Sequence, residues 1–295
     1  MLVAVAAVTA ACTGGGYDPS APDGGEDVGQ AAASARVSGV LFVEQGEGGR
    51  EGAAVGVGAR FVRVSGLRDE ALPDLVGTPM WPLPRVAPGA AVRCVERGVD
   101  ARAVERGAEV RLLDVGPIDL VAGERALRMN PRRFPDLWNV VSGVLYGVDS
   151  ALPMGVWRFT SPGNPAVGVG AFDVSGASPE PLAAVTLNDL PLQGGAEATV
   201  QLPRRGGLAL RWQRSPRAEE GDLVTVAFEG AGQMVCAARD EGALDLDAAT
   251  LDRARELLRE GGAVSVHRLR ARPFVAPGVD TATLVFDLAL RARAN

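Results

Sequence analysis

The sequence predicts an all-β protein: two antiparallel, immunoglobulin-like β-sandwich domains with one short helix, after a disordered N-terminal tether. Three observations lead there. From residue 36 onward apolar residues recur with a period of two, as half-buried strands require. Turn residues divide these runs at short intervals, as at Gly194-Gly195, Pro203, Ser215-Pro216, Gly221, Gly230 and Gly261-Gly262. One segment, residues 247–259, breaks the pattern with a period near 3.6.

The chain opens with an apolar run from Leu2 to Val8, then Ala10, Ala11, Cys12 and a glycine-rich stretch. Small residues before a cysteine are what a lipoprotein signal peptidase accepts, and the thiol is the atom that takes lipid. Residues 1–12 therefore read as a lipoprotein-type signal segment with Cys12 as its lipidation site. Two features depart from that pattern. No Lys or Arg precedes Cys12, as a start codon placed too far downstream would produce, and Thr9 stands where Leu or Val is usual. The run is too short to span a bilayer, which needs about 20 residues. Acyl chains on Cys12 would anchor the chain, at about 0.8 kcal/mol per buried methylene. Thr13 stands where an inner-membrane retention signal carries Asp, which points by analogy to the outer membrane. Residues 13–35, rich in Gly, Pro and Asp, bury too little apolar surface to offset ordering entropy and read as a disordered linker.

The strand signal is cleanest at 281–291, where Ala282, Leu284, Phe286, Leu288 and Leu290 share one face. It repeats at 207–213 with Leu208, Leu210 and Trp212, and at 222–229 with Val224, Val226 and Phe228. Further strands are expected at 37–43, 53–64, 91–96, 109–113, 118–121, 125–129, 155–160, 169–174, 183–188, 197–202, 233–238 and 263–269. The Pro-rich stretch 78–84 must be irregular. Ser175 to Pro181 reads as an interdomain linker, giving domains at 36–178 and 179–295. In the helical segment Asp247 is a natural N-cap, Leu251, Ala254, Leu257 and Leu258 form one stripe, and Gly261 stops it. The one attractive and one repulsive charge pair on its surface leave packing to stabilise it.

Val235-Cys236, the acidic turn with Gly242, the Leu251 helix and Val264-Ser265-Val266 form a spaced pattern, preceded by Gly155-Val156-Trp157-Arg158-Phe159. Over roughly residues 90–290 this resembles uncharacterised myxobacterial (deltaproteobacterial) β-sandwich lipoproteins. The resemblance implies a β-sandwich surface protein and supplies no catalytic residues.

Composition narrows the function classes. A net charge of −6 argues against a nucleic-acid partner. All 30 basic residues are Arg, which reflects genome composition. The single histidine, His267, lies opposite in phase to Val264 and Val266 and reads as an ordinary strand residue near solvent. No nucleophile elbow or phosphate loop occurs, and no metal or cofactor is expected. Cys94 and Cys236 are an even pair that permits one disulfide. Because they fall in different expected domains, and a bridge needs Cα atoms within about 7 Å, they read as two separate buried thiols. Asp240, Glu241, Asp245 and Asp247 cluster as a glycosidase or calcium site could, but turn and capping roles explain them locally. Arg268, Arg270 and Arg272 read as a solvated strand face, with an anionic-partner patch as the alternative. Phe134, Trp138, Tyr146, Trp157 and Phe159 concentrate aromatic content in the N-terminal half. Core packing accounts for them; Trp138, Tyr146 and Trp157 are the alternative platform for a sugar.

The sequence thus supports a non-catalytic cell-envelope lipoprotein, held at the membrane by lipid on Cys12, with a binding or structural role and an unidentified protein or glycan partner. The alternatives are a carbohydrate-binding surface protein and a carboxylate-dependent hydrolase.

Overall fold

A computed structural model describes residues 35–46, 56–67, 86, 92–97, 104–137, 141–148, 152–195 and 198–295. Cys12 and Trp138, together with the tether and the Pro-rich stretch 78–84, lie outside them. Strands come first: β1 (Arg36–Gly46), β2 (Gly56–Leu67), β3 (Arg93–Arg97), β4 (Val104–Leu112), β5 (Ile118–Ala122) and β6 (Arg125–Met129). Next are β7 (Arg132–Leu137), β8 (Val141–Val148), β9 (Val156–Ser161) and β10 (Phe172–Ala177). The short strands β11 (Thr186–Leu187), β12 (Leu190–Pro191), β13 (Thr199–Val200) and β14 (Leu208–Arg211) follow. Then β15 (Leu223–Glu229), β16 (Gln233–Arg239) and β17 (Ala243–Leu246) lead into helix α1 (Ala248–Leu257). The long strands β18 (Gly262–Phe274) and β19 (Thr281–Ala294) close the chain.

An 11-stranded sheet runs in the order β3-β16-β15-β18-β19-β1-β2-β4-β8-β7, with β13 added beside β19. Two four-stranded sheets, β10-β9-β5-β6 and β12-β11-β14-β17, accompany it. Each belongs to its own core. One unites Leu41, Phe61, Leu120, Trp157, Phe159, Phe172, Leu284 and Phe286. The other unites Leu208, Leu210, Trp212, Val226, Phe228, Leu251, Val264 and Leu290. Both draw on β19. At about 3.3 Å per residue, a strand of 14 residues outruns a single core.

The all-β expectation with one short helix therefore holds among the described residues, but the large sheet is mixed. β1 lies parallel to β19 in the register Leu41↔Leu284 and Val43↔Phe286. β13 with β19, and β4 with β8, are parallel too. A purely antiparallel reading fails because β1 and β19 stand at opposite ends of the described chain, so no hairpin dictates their direction. Leu284 and Phe286, which the expected 179–295 domain would pack with Trp212 and Phe228, join the core of Trp157 and Phe159 instead. The linker is shorter than expected: β10 continues through Ala177, where Gly176 lets it approach β19 closely. A Cβ there would lie 3.0 Å from Leu284 Cδ2 and 3.1 Å from Phe286 Cε2.

Helix α1 forms as its spacing predicts. Asp247 Oδ1 accepts from Thr250 N at 2.8 Å, while Leu251 and Ala254 are fully buried and Leu258 nearly so. Asp252 and Arg255 pair on its surface. Its tie to a distant strand was not foreseen: Arg253 grips Glu96 of β3 through two bonds of 2.8 and 2.9 Å.

Cys94 and Cys236 are joined in a disulfide, which corrects the expectation of two separate thiols. β3 lies on β16 as an edge strand, and the antiparallel register sets Cys94 opposite Cys236, with Cα atoms 3.9 Å apart. Residues 142 apart in sequence thus become direct neighbours. In the chain-entropy account, cross-linking a loop of that length stabilises by about 5 kcal/mol.

Leu284 is fully buried at the parallel junction of β1 and β19. Leu284→Ala should lower unfolding free energy by about 2–5 kcal/mol in urea titrations. A loss below about 0.5 kcal/mol, the level of a surface substitution, would contradict this placement.

Candidate functional site

Strand β18 carries polar side chains on both faces. Alternation places Val264, Val266, Arg268, Arg270 and Arg272 on one face and Ser265, His267 and Leu269 on the other. Pairing with β15 and β19 encloses the strand, so most of these groups are out of solvent.

On the first face Arg268 and Arg270 are neither solvated nor open to an anionic partner, whereas Arg272 is half-exposed. The side chains of Arg268 and Asp240 are each 1% exposed, with Nε 3.0 Å from Oδ2. Arg268 Nη1 donates to the carbonyls of Glu180 and Pro181 at 2.9 Å, and Nη2 to that of Gln213 at 2.8 Å. Asp240 Oδ1 also accepts from Trp212 Nε1 at 2.6 Å. Arg270 makes a two-pronged pair with buried Asp222, at 2.8 and 2.6 Å. It donates as well to the carbonyls of Ala177 and Arg217. Arg272 reaches Glu219, whose backbone N–H donates to Asp222. The ladder thus fixes the connection at 177–181 and the loop at 213–222. A guanidinium suits this task because its five donors lie in a rigid fork. Removing one partner of such a buried pair costs about 3–5 kcal/mol.

The second face holds a hydrogen-bonded chain. His267 Nδ1 lies 2.8 Å from Asp287 Oδ1, and His267 Nε2 lies 2.8 Å from Ser265 Oγ. All three residues are buried, His267 at 8% exposure, which corrects its reading as a strand residue near solvent. Thr225 stands opposite His267 across the ladder, buried, with its hydroxyl unpartnered among the described residues. Glu44 stands beside Asp287 in the register of β1 and β19. Burial, then the charge of Asp287, raises the Glu44 carboxyl above its ordinary range; the charges of Arg60 and His267 oppose this. For His267, burial alone would lower the imidazole pKa. The charge of Asp287 and its hydrogen bond, with Glu229 and Glu44 beyond, outweigh burial and raise it.

Serine, histidine and aspartate in this order can pass a proton away from the hydroxyl, as in nucleophilic hydrolases. Sequence reasoning missed the set because Asp287 comes from the neighbouring strand. Ser265 is only 2% exposed, however. The backbone around it is paired on both sides, through Ser265↔Ala227 and Ser265↔Arg291. A central strand with its donors in ladders offers none for an oxyanion.

The other candidate residues do not converge. Asp240 serves Arg268 and Trp212, Asp245 pairs with Arg211 at the surface, and Asp247 caps the helix. Glu241 sits in the turn between β16 and β17 and is exposed. No cluster able to hold a metal ion occurs among the described residues. Of the aromatic candidates, Trp157 is fully buried and stacks with Phe159 at 6.3 Å. Tyr146 is 3% exposed. Its hydroxyl donates to Asp114 Oδ1 and accepts from Val115 N, each at 2.9 Å, and so straps the crossing from β4 to β5. Burial first, then Asp114, drives its phenol pKa well above the ordinary tyrosine value. These two rings present no exposed platform, and Phe134 is half-buried.

No protein-family model matches the sequence, and no curated protein matches it. Among solved structures the chain is similar to the Fcho1 Mu homology domain of Danio rerio with bound Eps15 peptide. That alignment has 8% identity, covers 88% of this chain and 97% of the other, and has a TM-score of 0.22. A TM-score at that level carries no argument about fold or function.

The raised pKa values give a sign for pH dependence. A group whose folded pKa lies above its unfolded value stabilises fully below the unfolded pKa, about 6.5 for His, and loses that contribution as pH rises through the folded pKa. Stability should therefore fall as pH rises above about 6.5. His267→Gln should flatten that slope in urea titrations at stepped pH. An identical slope in the variant would contradict the assignment.

Proposed function

We propose that this chain is a non-catalytic bacterial cell-envelope lipoprotein, anchored through lipid on Cys12, with a binding or structural role at the outer membrane. The observation that carries the reading is the Cys94–Cys236 disulfide. Disulfides persist in oxidising compartments, where an exported chain resides. The signal-like run ending at Cys12 supports the same address. In this reading the body is built from two sandwich-like halves, each pairing part of the large sheet with a four-stranded sheet.

A hydrolase is the second reading, because Ser265, His267 and Asp287 are hydrogen-bonded in the appropriate order. Non-catalytic function is preferred: the hydroxyl is buried and the surrounding backbone donors are spent in pairing. The carboxylates near residue 240 are occupied by structural partners, which weighs against their use as a catalytic pair. Burial of Tyr146 and Trp157 weighs against a sugar platform at those positions.

Metabolic labelling of expressing cells with a fatty-acid analogue tests the anchor. The native protein should carry the label and fractionate with outer membranes, and Cys12→Ala should abolish both. Equal labelling of the variant would overturn the proposal.

A further inference from the structure

We propose that Cys94 is a site of thiol–disulfide exchange, and that exchange there unlatches edge strand β3 from the large sheet. This goes beyond the lipoprotein reading and stands whether or not Cys12 carries lipid. The two sulfur-bearing residues are unequally placed. Cys94 is exposed on the edge strand, whereas Cys236 is fully buried in the core with Val226 and Leu251. An incoming thiolate therefore reaches the sulfur of Cys94 and not that of Cys236.

The strand that Cys94 holds lies at the edge of the large sheet. Among the described residues β3 pairs with β16 alone, over five residues from Gln233↔Arg97 to Ala237↔Arg93. Arg93, Cys94, Val95 and Glu96 are all exposed, so their burial contributes little. One side-chain tie of β3 is the pair of Arg253 with Glu96, and both groups are close to half exposed. An ion pair so exposed contributes weakly. β16, by contrast, is held by β15 along its whole length, from Leu223↔Arg239 to Glu229↔Gln233. Opening the disulfide should free β3 and leave the rest of the sheet paired.

The chemistry balances with a dithiol reductant. One thiolate attacks the Cys94 sulfur, an S–S bond forms there, and the Cys236 sulfur leaves with the electron pair and takes a proton. The reductant's second thiol then attacks the mixed disulfide, releasing Cys94 as a thiol and the reductant as its own disulfide. The protein is reduced by two electrons and the dithiol is oxidised by two. A monothiol first gives the mixed disulfide on Cys94, and a second molecule of it can release Cys94 as a thiol by forming the monothiol's own disulfide, so the adduct is trapped early with a thiol-blocking reagent.

Two measurements on the full chain test this. Incubation with glutathione, followed by peptide mass mapping, should place the adduct on Cys94 and leave Cys236 as a free thiol; an adduct predominantly on Cys236 would overturn the assignment. After reduction with dithiothreitol, amide hydrogen exchange in 93–97 should rise at least about tenfold more than in 223–229 and 262–274, which share only the uniform loss of global stability from the opened cross-link. Unchanged protection in 93–97, or an equal rise in all three segments, would overturn the latch. Cys94→Ser should reproduce the reduced pattern, and its failure to fold would show a global staple and also overturn the latch. Glu96→Gln retains the disulfide and should accelerate adduct formation on Cys94; an unchanged rate would contradict the role given to the Arg253 tie.

Discussion

The buried pairs Arg268–Asp240 and Arg270–Asp222 are the interaction on which the arrangement of the two cores depends. Both arginines project from β18 toward the side where Val264 and Val266 enter one core, while the facing register on β19 runs through Leu288 and Phe286 toward the other. Their spare donors end on backbone carbonyls of the 177–181 connection and the 213–222 loop. Taking such charges out of water costs several kcal/mol per ion, and the pairing roughly offsets that cost. The net gain therefore lies in specificity. An alternative path for the connection would leave a buried guanidinium short of acceptors, which is a large penalty.

The rest of the molecule follows from two long strands. β18 and β19 are paired along 13 positions and each contributes to more than one environment. One face of β18 carries the arginine ladder and the other the Ser265–His267–Asp287 chain. An interior strand buried on both faces cannot keep the clean apolar-in, polar-out alternation of a surface strand. Its polar groups must instead find partners, as Ser265, His267, Arg268 and Arg270 do. Elsewhere the Thr225 hydroxyl and Trp157 Nε1 are buried with no hydrogen-bond partner among the described residues, for which the structure offers no physical account.

Much of this was legible in the sequence, and the failures have specific causes. Alternation correctly oriented Leu208, Leu210, Trp212, Val224, Val226 and Phe228, and capping with a 3.6 period located the helix. The same alternation places Arg268 in phase with Val264 and Val266, a signal that it points inward which its charge masks. Sequence phase alone leaves His267 on a wet face of β18, whereas that face is covered. Phase reports which residues share a side, and does not report whether that side is covered. Short strands such as β12 and β17, and β7 with its internal Pro135, carry too few alternating positions to stand out. The Cys94–Cys236 bridge and the parallel pairing of β1 with β19 are long-range facts with no local signature.

In this account the buried polar groups serve structure, and the proposed binding or structural role falls to the surface. The central physical claim is that two cores sharing one sheet, joined by the arginine ladder, unfold as one. Native-state hydrogen exchange in rising urea, read at amides of β9 in one core and β15 in the other, tests it most directly. The account predicts that both sets converge on one unfolding free energy and one urea dependence. Separate isotherms, with one core opening while the other stays protected, would contradict it.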